Sequence, residues 1–326
     1  MSDDLSRPVS DVGQDDLVLP FVVEPLESRG RIVRLGASVD GILSRHAYPA
    51  PVARLVGEAV AMTALLGSAL KFDGRFQLQT RTDGAVSMIV VDYDAPDRMR
   101  AFARFDEEAL AIASRTGESA PAQLLGRGHL ALTIDQGPDM SRYQGVVPLD
   151  GQGLEQAAHQ YFLQSEQIPT QVRLAVAESH TGEGRQWRAG GLMVQFLPQS
   201  EDRLRQKDLH PGDAPVGTAM HDPGDDDAWA EAKSLAATVE DHELVDPTLS
   251  SERLLYRLFH ERGVKVFEGQ SLREACRCST ERIADMLRGF SPQERHDMVG
   301  DNGRIGVTCE FCSAHRDFDP ADFECS

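Results

Sequence analysis

Residues 48–105 read YPAPVARLVGEAVAMTALLGSALKFDGRFQLQTRTDGAVSMIVVDYDAPDRMRAFARF, and the change of period within this stretch decides the fold class. From Tyr48-Pro49-Ala50-Pro51 to about Leu70 the apolar residues Val52, Leu55, Val56, Ala59, Val60 and Leu66 recur at three- and four-residue steps. That spacing predicts a helix with a buried face, and proline suits its first turn. Past it the period drops to two. Phe76–Thr80, Val86–Asp92 and Met99–Phe105 are predicted as strands of a meander, with Asp83-Gly84 as a hairpin turn.

Outward from this stretch, Arg31–Leu35 reads as a short strand, His129–Ile134 and Gly145–Pro148 as a strand pair, and Leu154–Ser165 as a helix. Val172–Val176 and Gly190–Leu197 close the set. Strand runs broken by helices without a regular βαβ rhythm favour an α+β domain over a doubly wound sheet. Its expected bounds are residues 21–199. Residues 1–20, beginning MSDDLSRPVSDVGQDD, are read as a disordered acidic tail without an export signal.

The chain has 326 residues, 41% of them hydrophobic, and a net charge of −19 from 33 basic and 52 acidic side chains. The length suffices for a full domain and a smaller module. The acidic balance opposes nucleic-acid binding, which needs a basic footprint. The uncharged apolar run Ala59–Leu70 suits a core helix better than a bilayer span. No membrane partner and a cytoplasmic location are therefore expected, and five cysteines fit a reducing compartment.

Composition shifts after Pro198. Residues 199–250 hold 13 acidic and 4 basic side chains, and His210–Asp227 is rich in Pro, Gly and Asp. Two helices follow. One is capped near Asp227 and carries Trp229, Ala232, Ala236 and Val239; the other starts at Ser250 or Ser251 and carries Leu254, Leu255, Leu258 and Phe259. Each is marginal in water alone and must dock to stay folded. Residues 200–270 are thus expected to be an acidic insertion and helical linker.

The final module, within 271–326, contains Cys276-x-Cys278, thirty intervening residues, and Cys309-x-x-Cys312. Four thiolates in two pairs suit one tetrahedral soft cation, which points to Zn2+. A short module has too little core of its own, so metal binding would carry its folding. From spacing alone a purely structural zinc remains a rival. The tight C-x-C step suggests a site that can also be oxidised. Once the module unfolds, sequence-local partners stay close, which predicts Cys276–Cys278 and Cys309–Cys312 disulfides. His315 is expected near the site but outside the ligand set, and Cys325 as a spare terminal thiol. Ser291-Pro292-Gln293-Glu294 reads as a capping box, and Asp301-Asn302-Gly303 as a turn into the strand Arg304–Thr308.

Catalytic signals are weak. The chain lacks a G-x-x-x-x-G-K-[ST] phosphate loop, a G-x-S-x-G elbow and an H-E-x-x-H motif. No ATP and no catalytic residues are expected. Asp92 and Asp94 lie together at a strand end, where such pairs are usually solvated turn residues. A nucleic-acid binder with a structural zinc module, and a thiol–disulfide oxidoreductase, remain the alternatives.

His46-x-Tyr48-Pro49, Gly57-Glu58, Leu70-Lys71-Phe72-Asp73-Gly74 and the Asp83-Gly84 turn form a recognisable set. So do Tyr143-Gln144-Gly145-Val146-Val147, Tyr161-Phe162-x-x-Ser165-Glu166-Gln167-x-Pro169-Thr170 and Ala189-Gly190-Gly191. With the two cysteine pairs, the chain resembles the bacterial redox-regulated 33 kDa heat-shock chaperone family (33 kDa chaperonin) from residue 29 to about 318. The resemblance implies an ATP-independent holdase, not an enzyme. Its reduced form would hold one Zn2+ through Cys276, Cys278, Cys309 and Cys312 and stay inactive. Oxidation would release zinc, unfold the linker and let the protein bind unfolded clients as a homodimer. The insertion at about 202–226, Cys325 and the acidic tail depart from the family pattern.

Overall fold

The computed structural model describes residues 15–70, 74–137, 140, 142–181, 184–197 and 226–323. The acidic stretch before residue 226, Cys325 and the first part of the expected tail lie outside the described residues.

Strands β1 (Leu17–Val23) and β2 (Ser28–Leu35) lead into helices α1 (Ala37–Ser44) and α2 (Ala50–Gly67). The meander β3 (Arg75–Thr82), β4 (Val86–Asp94) and β5 (Arg98–Phe105) follows, then α3 (Glu107–Thr116) and α4 (Pro121–Leu125). Next come β6 (Arg127–Asp135), β7 (Tyr143–Asp150), α5 (Leu154–Tyr161), β8 (Thr170–Thr181) and β9 (Gly184–Phe196). The linker contributes α6 (Asp227–Ala237), α7 (Asp241–Val245) and α8 (Ser251–Phe259), and then the two-residue strands β10 (Lys265–Val266), β11 (Gln270–Ser271) and β12 (Arg273–Glu274). The last module holds α9 (Thr280–Arg288), α10 (Pro292–Asp297), β13 (Ile305–Thr308) and β14 (His315–Phe318).

The fold class is α+β, as read from the sequence. One sheet has the order β10-β1-β2-β9-β8, with β11 also on β1; the second has the order β12-β5-β4-β3-β6-β7. Helix α2 lies between them, touching β2, β8 and β9 on one side and β3, β4 and β5 on the other. Burial on two sides explains why most of its residues are apolar (Leu55, Val56, Ala59 and Met62 are at most 1% exposed). By length and composition α2 could cross a membrane, yet 78% of it is buried inside this fold.

The period of two sorts side chains between faces. On β9, Ala189 and Met193 face α2, whereas Leu192, Val194 and Phe196 face the linker helices. On β1, Val18 faces α2, and Leu19, Phe21 and Val23 face the linker. The first sheet is therefore apolar on both faces. Its outer face packs against Trp229, Ala236, Leu254 and Phe259.

Two expectations change. The first strand begins at Leu17, inside the stretch read as tail, and pairs with β2 over its full length. Pro20 disguised it. Its carbonyl accepts from Phe267 between β10 and β11, so the missing N–H falls where that edge leaves a gap. The helix expected over Leu154–Ser165 is α only to Tyr161; a π turn over Phe162–Glu166 completes it.

Candidate metal centre

The first cysteine pair is placed by the second sheet. Strand β12 runs parallel to β5, pairing Arg273 with Arg98 and Glu274 with Met99, and Ala275 N–H donates to the Met99 carbonyl at 2.9 Å. Cys276 is the next residue. The second pair lies in the β13–β14 hairpin. Cys309 N–H donates to Ala314 and Ser313 N–H returns to the Cys309 carbonyl at 2.8 Å, with Ser313 in the left-handed region. Behind them, Ile283, Leu287, Ile305, Phe318 and Phe323 make a separate small core. The expected caps are present: Ser291 and Glu294 form the capping box of α10.

All four Sγ atoms, of Cys276, Cys278, Cys309 and Cys312, lie within 4.8 Å of one another. Cys276 meets Cys309 at 3.7 Å and Cys278 meets Cys312 at 3.3 Å. Sulfurs about 2.3 Å from one tetrahedral ion would sit about 3.8 Å apart, so this donor set fits such an ion. The thiols are unpaired. Two guanidinium groups flank them: Arg100 Nη1 is 3.9 Å from Cys276 Sγ and Arg316 Nη1 is 3.6 Å from Cys278 Sγ. They offset the negative charge that four thiolates leave around a divalent ion.

Without a cation two of the thiols, Cys278 and Cys312, resist ionisation. Burial and neighbouring thiols push Cys312 up to about 12, and burial raises Cys278. Burial also acts upward on Cys276, but hydrogen bonds from Cys278 and Arg100 outweigh it and bring that thiol down. A metal ion reverses this balance, because it binds the thiolate form.

His315 stands apart from the four sulfurs. Its ring meets Thr308 Oγ1 at 2.8 Å and Asp317 at 3.3 Å. The aspartate pair is corrected: Asp92 and Asp94 are not solvated. They are 1% and 8% exposed on β4, and Arg100 lies 2.6 Å from Asp92. Their burial has a partner, because Arg277, inside the C-x-C step, pairs with both.

Sequence reasoning missed the groups that hold the linker. Arg34, 1% exposed on β2, donates to the main-chain carbonyls of Glu243 (2.9 Å), Asp246 (2.7 Å) and Leu249. Arg188 donates to the carbonyl of Val245 at 2.7 Å and pairs with Asp15. The carbonyls of Glu243, Val245 and Asp246 lie at the C-terminal end of α7, where cations suit them, and that of Leu249 directly precedes the cap of α8. An arginine at every third position of Arg31–Leu35 gave no signal of burial, because main-chain acceptors leave no trace in sequence.

Comparison with known proteins decides the family. A profile of the Hsp33 protein family matches residues 16–319. The chain belongs to the Hsp33 family. A 33 kDa chaperonin of Caulobacter vibrioides is 46% identical over 307 residues, covering 94% of this chain and 95% of the relative. One of Pseudomonas fluorescens is 33% identical over 315 residues, covering 96% and 94%. The crystal structure of the Hsp33 homologue from Thermotoga maritima superposes with a TM-score of 0.71 over 95% of this chain and 97% of that one. At 19% identity it speaks for the Hsp33 fold. Hsp33 membership makes this chain one of a chaperone family, and its four-cysteine cluster suits zinc and redox roles.

Proposed function

We propose that this Hsp33 chain is a redox-regulated, ATP-independent holdase that binds unfolding proteins and prevents their aggregation under oxidative stress. One observation carries the reading: the apolar outer face of the first sheet is covered by α6–α8, and the same chain runs on into the four-thiol cluster. The division proposed is a core over about 21–199, extended back to β1, a linker over 200–270, and a switch over 271–326.

In the reduced protein Cys276, Cys278, Cys309 and Cys312 would hold one Zn2+. The ion would keep the four sulfurs ionised and supply about 10–16 kcal/mol toward folding the module. Its five-residue core cannot replace that. Oxidation joins Cys276 to Cys278 and Cys309 to Cys312. Each bond removes two electrons from two thiolates; hypochlorite takes them and two protons, leaving chloride and water. Sulfurs spent in disulfides no longer ligate, so the module loses its fold. The linker then loses its C-terminal anchor, and Phe21, Ile32, Val194 and Phe196 open to apolar client segments. Two oxidised chains sharing such faces would form the homodimer. A reducing cytoplasm is the compartment this cycle requires.

The test follows zinc, free thiols and suppression of aggregation of a heat-denatured client together, without ATP. Loss of zinc, loss of about four thiols per chain and a gain of suppression are expected together. Zinc retained through oxidation, or lost without gain in suppression, overturns the reading.

A further inference from the structure

We propose that the residues between the paired cysteines are the joint that couples the thiol cluster to the core, with Arg277 as its peg and Asp92 and Asp94 as its socket. The inference rests on the metal-dependent switch above and adds how the switch grips the core.

The socket follows from the strand period. On β4 and β5, Ile89, Val91, Tyr93, Met99 and Ala101 face α2, so Asp92, Asp94, Arg100, Phe102 and Arg104 face the other way. Asp92 receives Arg100 (2.6 Å) from the neighbouring strand and Arg277 (2.8 Å) from the module. Arg277 Nε also lies 3.1 Å from Asp94, off the line of a hydrogen bond. Arg277 is 17% exposed and Asp92 1%. A charge pair so sealed from water matters far more than a surface pair. The Arg104–Glu310 pair at the rim, each more than half exposed, is of the weak kind.

The second knuckle uses its intervening residues the same way. The Phe311 ring lies 3.7 Å from the Arg100 guanidinium carbon and stacks edge-on to Phe102 at 4.7 Å. Its carbonyl meets His46 Nε2 at 3.1 Å. Both knuckles thus face the core with the residues that are not ligands. Arg277 sits between two thiols that share one cluster, so its direction depends on theirs. A Cys276–Cys278 bond closes a small ring through the Arg277 backbone and turns the peg out of its socket. Downstream of the linker the chain is also held by three two-residue strands, by Leu272 in the main core and by the Arg45–Glu274 and Arg273–Asp97 ion pairs. Withdrawal of the peg, whose ion pair is the most buried of these, therefore loosens the C-terminal end of the linker.

The experiment uses the full, reduced, zinc-loaded chain with R277A and R277K. Asp92 keeps Arg100 and Asp94 keeps Arg75 at 3.2 Å, so R277A strands no buried charge. R277A should hold zinc at wild-type stoichiometry and affinity. Hydrogen exchange across residues 251–276 should quicken about tenfold, the factor for losing a hydrogen bond between charged groups, and client suppression should appear without oxidant. R277K, which keeps one charge, should restore part of the protection. Wild-type exchange in R277A with zinc bound overturns the joint. So does weakened zinc binding, which would assign Arg277 to the cluster instead. If exchange quickens but neither R277A nor oxidised wild type suppresses aggregation, the joint stands and the holdase reading fails.

Discussion

Glu58 is a carboxylic acid placed where ionisation is costly. It lies on α2, and burial first, then Glu155 and Asp241, push it up from 4.5 to about 8. Arg173 sits 3.7 Å from Glu155 and 2.8 Å from Asp241, so the nearby cation is shared by the other two acids. Near pH 4 the folded and unfolded chains both hold the Glu58 proton, and the group costs nothing. As pH rises the unfolded chain ionises first, so stability falls until the folded group also ionises near 8. E58Q should flatten this slope and raise stability at pH 8 by about 2 kcal/mol. Urea midpoints between about pH 5 and 9 check it; parallel curves for both proteins would remove Glu58 as the cause. The residue scale is also where sequence was least informative. Asp92 reads as a solvated acid because its second cation lies 185 residues further along the chain.

Among elements, the two sheets differ by what covers their outer faces. The first is apolar outside and takes the linker helices; the second carries charged residues on β4 and β5 and takes the cysteine module. Gly190 and Gly191 let β9 be approached from both sides. A Cβ on Gly190 would lie 2.2 Å from the Leu244 carbonyl of α7, and one on Gly191 would lie 3.0 Å from Leu65 of α2. G190A should therefore lift α7 without touching a thiol. Exchange protection over residues 227–259 should fall while zinc stays bound; unchanged protection would show that α7 does not rest on that glycine. The meander, α2, α6 and α8 were legible from their periods, with Asp226 and Ser250 capping α6 and α8; the five-residue α7 was not, being too short to show a period. Strands β10–β12 were not, since two residues carry no period and their pairing partners are remote.

For the molecule as a whole, stability should be layered. The sandwich holds a large cluster around α2, whereas the last module has five buried apolar residues. Chelation of the reduced protein should abolish exchange protection over residues 265–323 first and loosen 227–259 with it. Strands β3–β6 and α2 should keep theirs, and a single collapse of all protection would contradict the layering. The cysteine cluster was legible from spacing alone, because ligand pairs must lie close in sequence to close a small site. The way the module sits on the core was not, since it is written in the intervening residues and in the other end of the chain.

The helices over the first sheet also have a kinetic meaning. A segment tethered beside its own binding face acts as a competitor at an effective concentration near the millimolar range, and no dilution removes it. On the holdase reading proposed above, a client would have to outcompete α6–α8, which pack on these apolar strands. Restoring the thiols would restore the competitor, and bound clients would be displaced by mass action, with the chain serving as its own eluent.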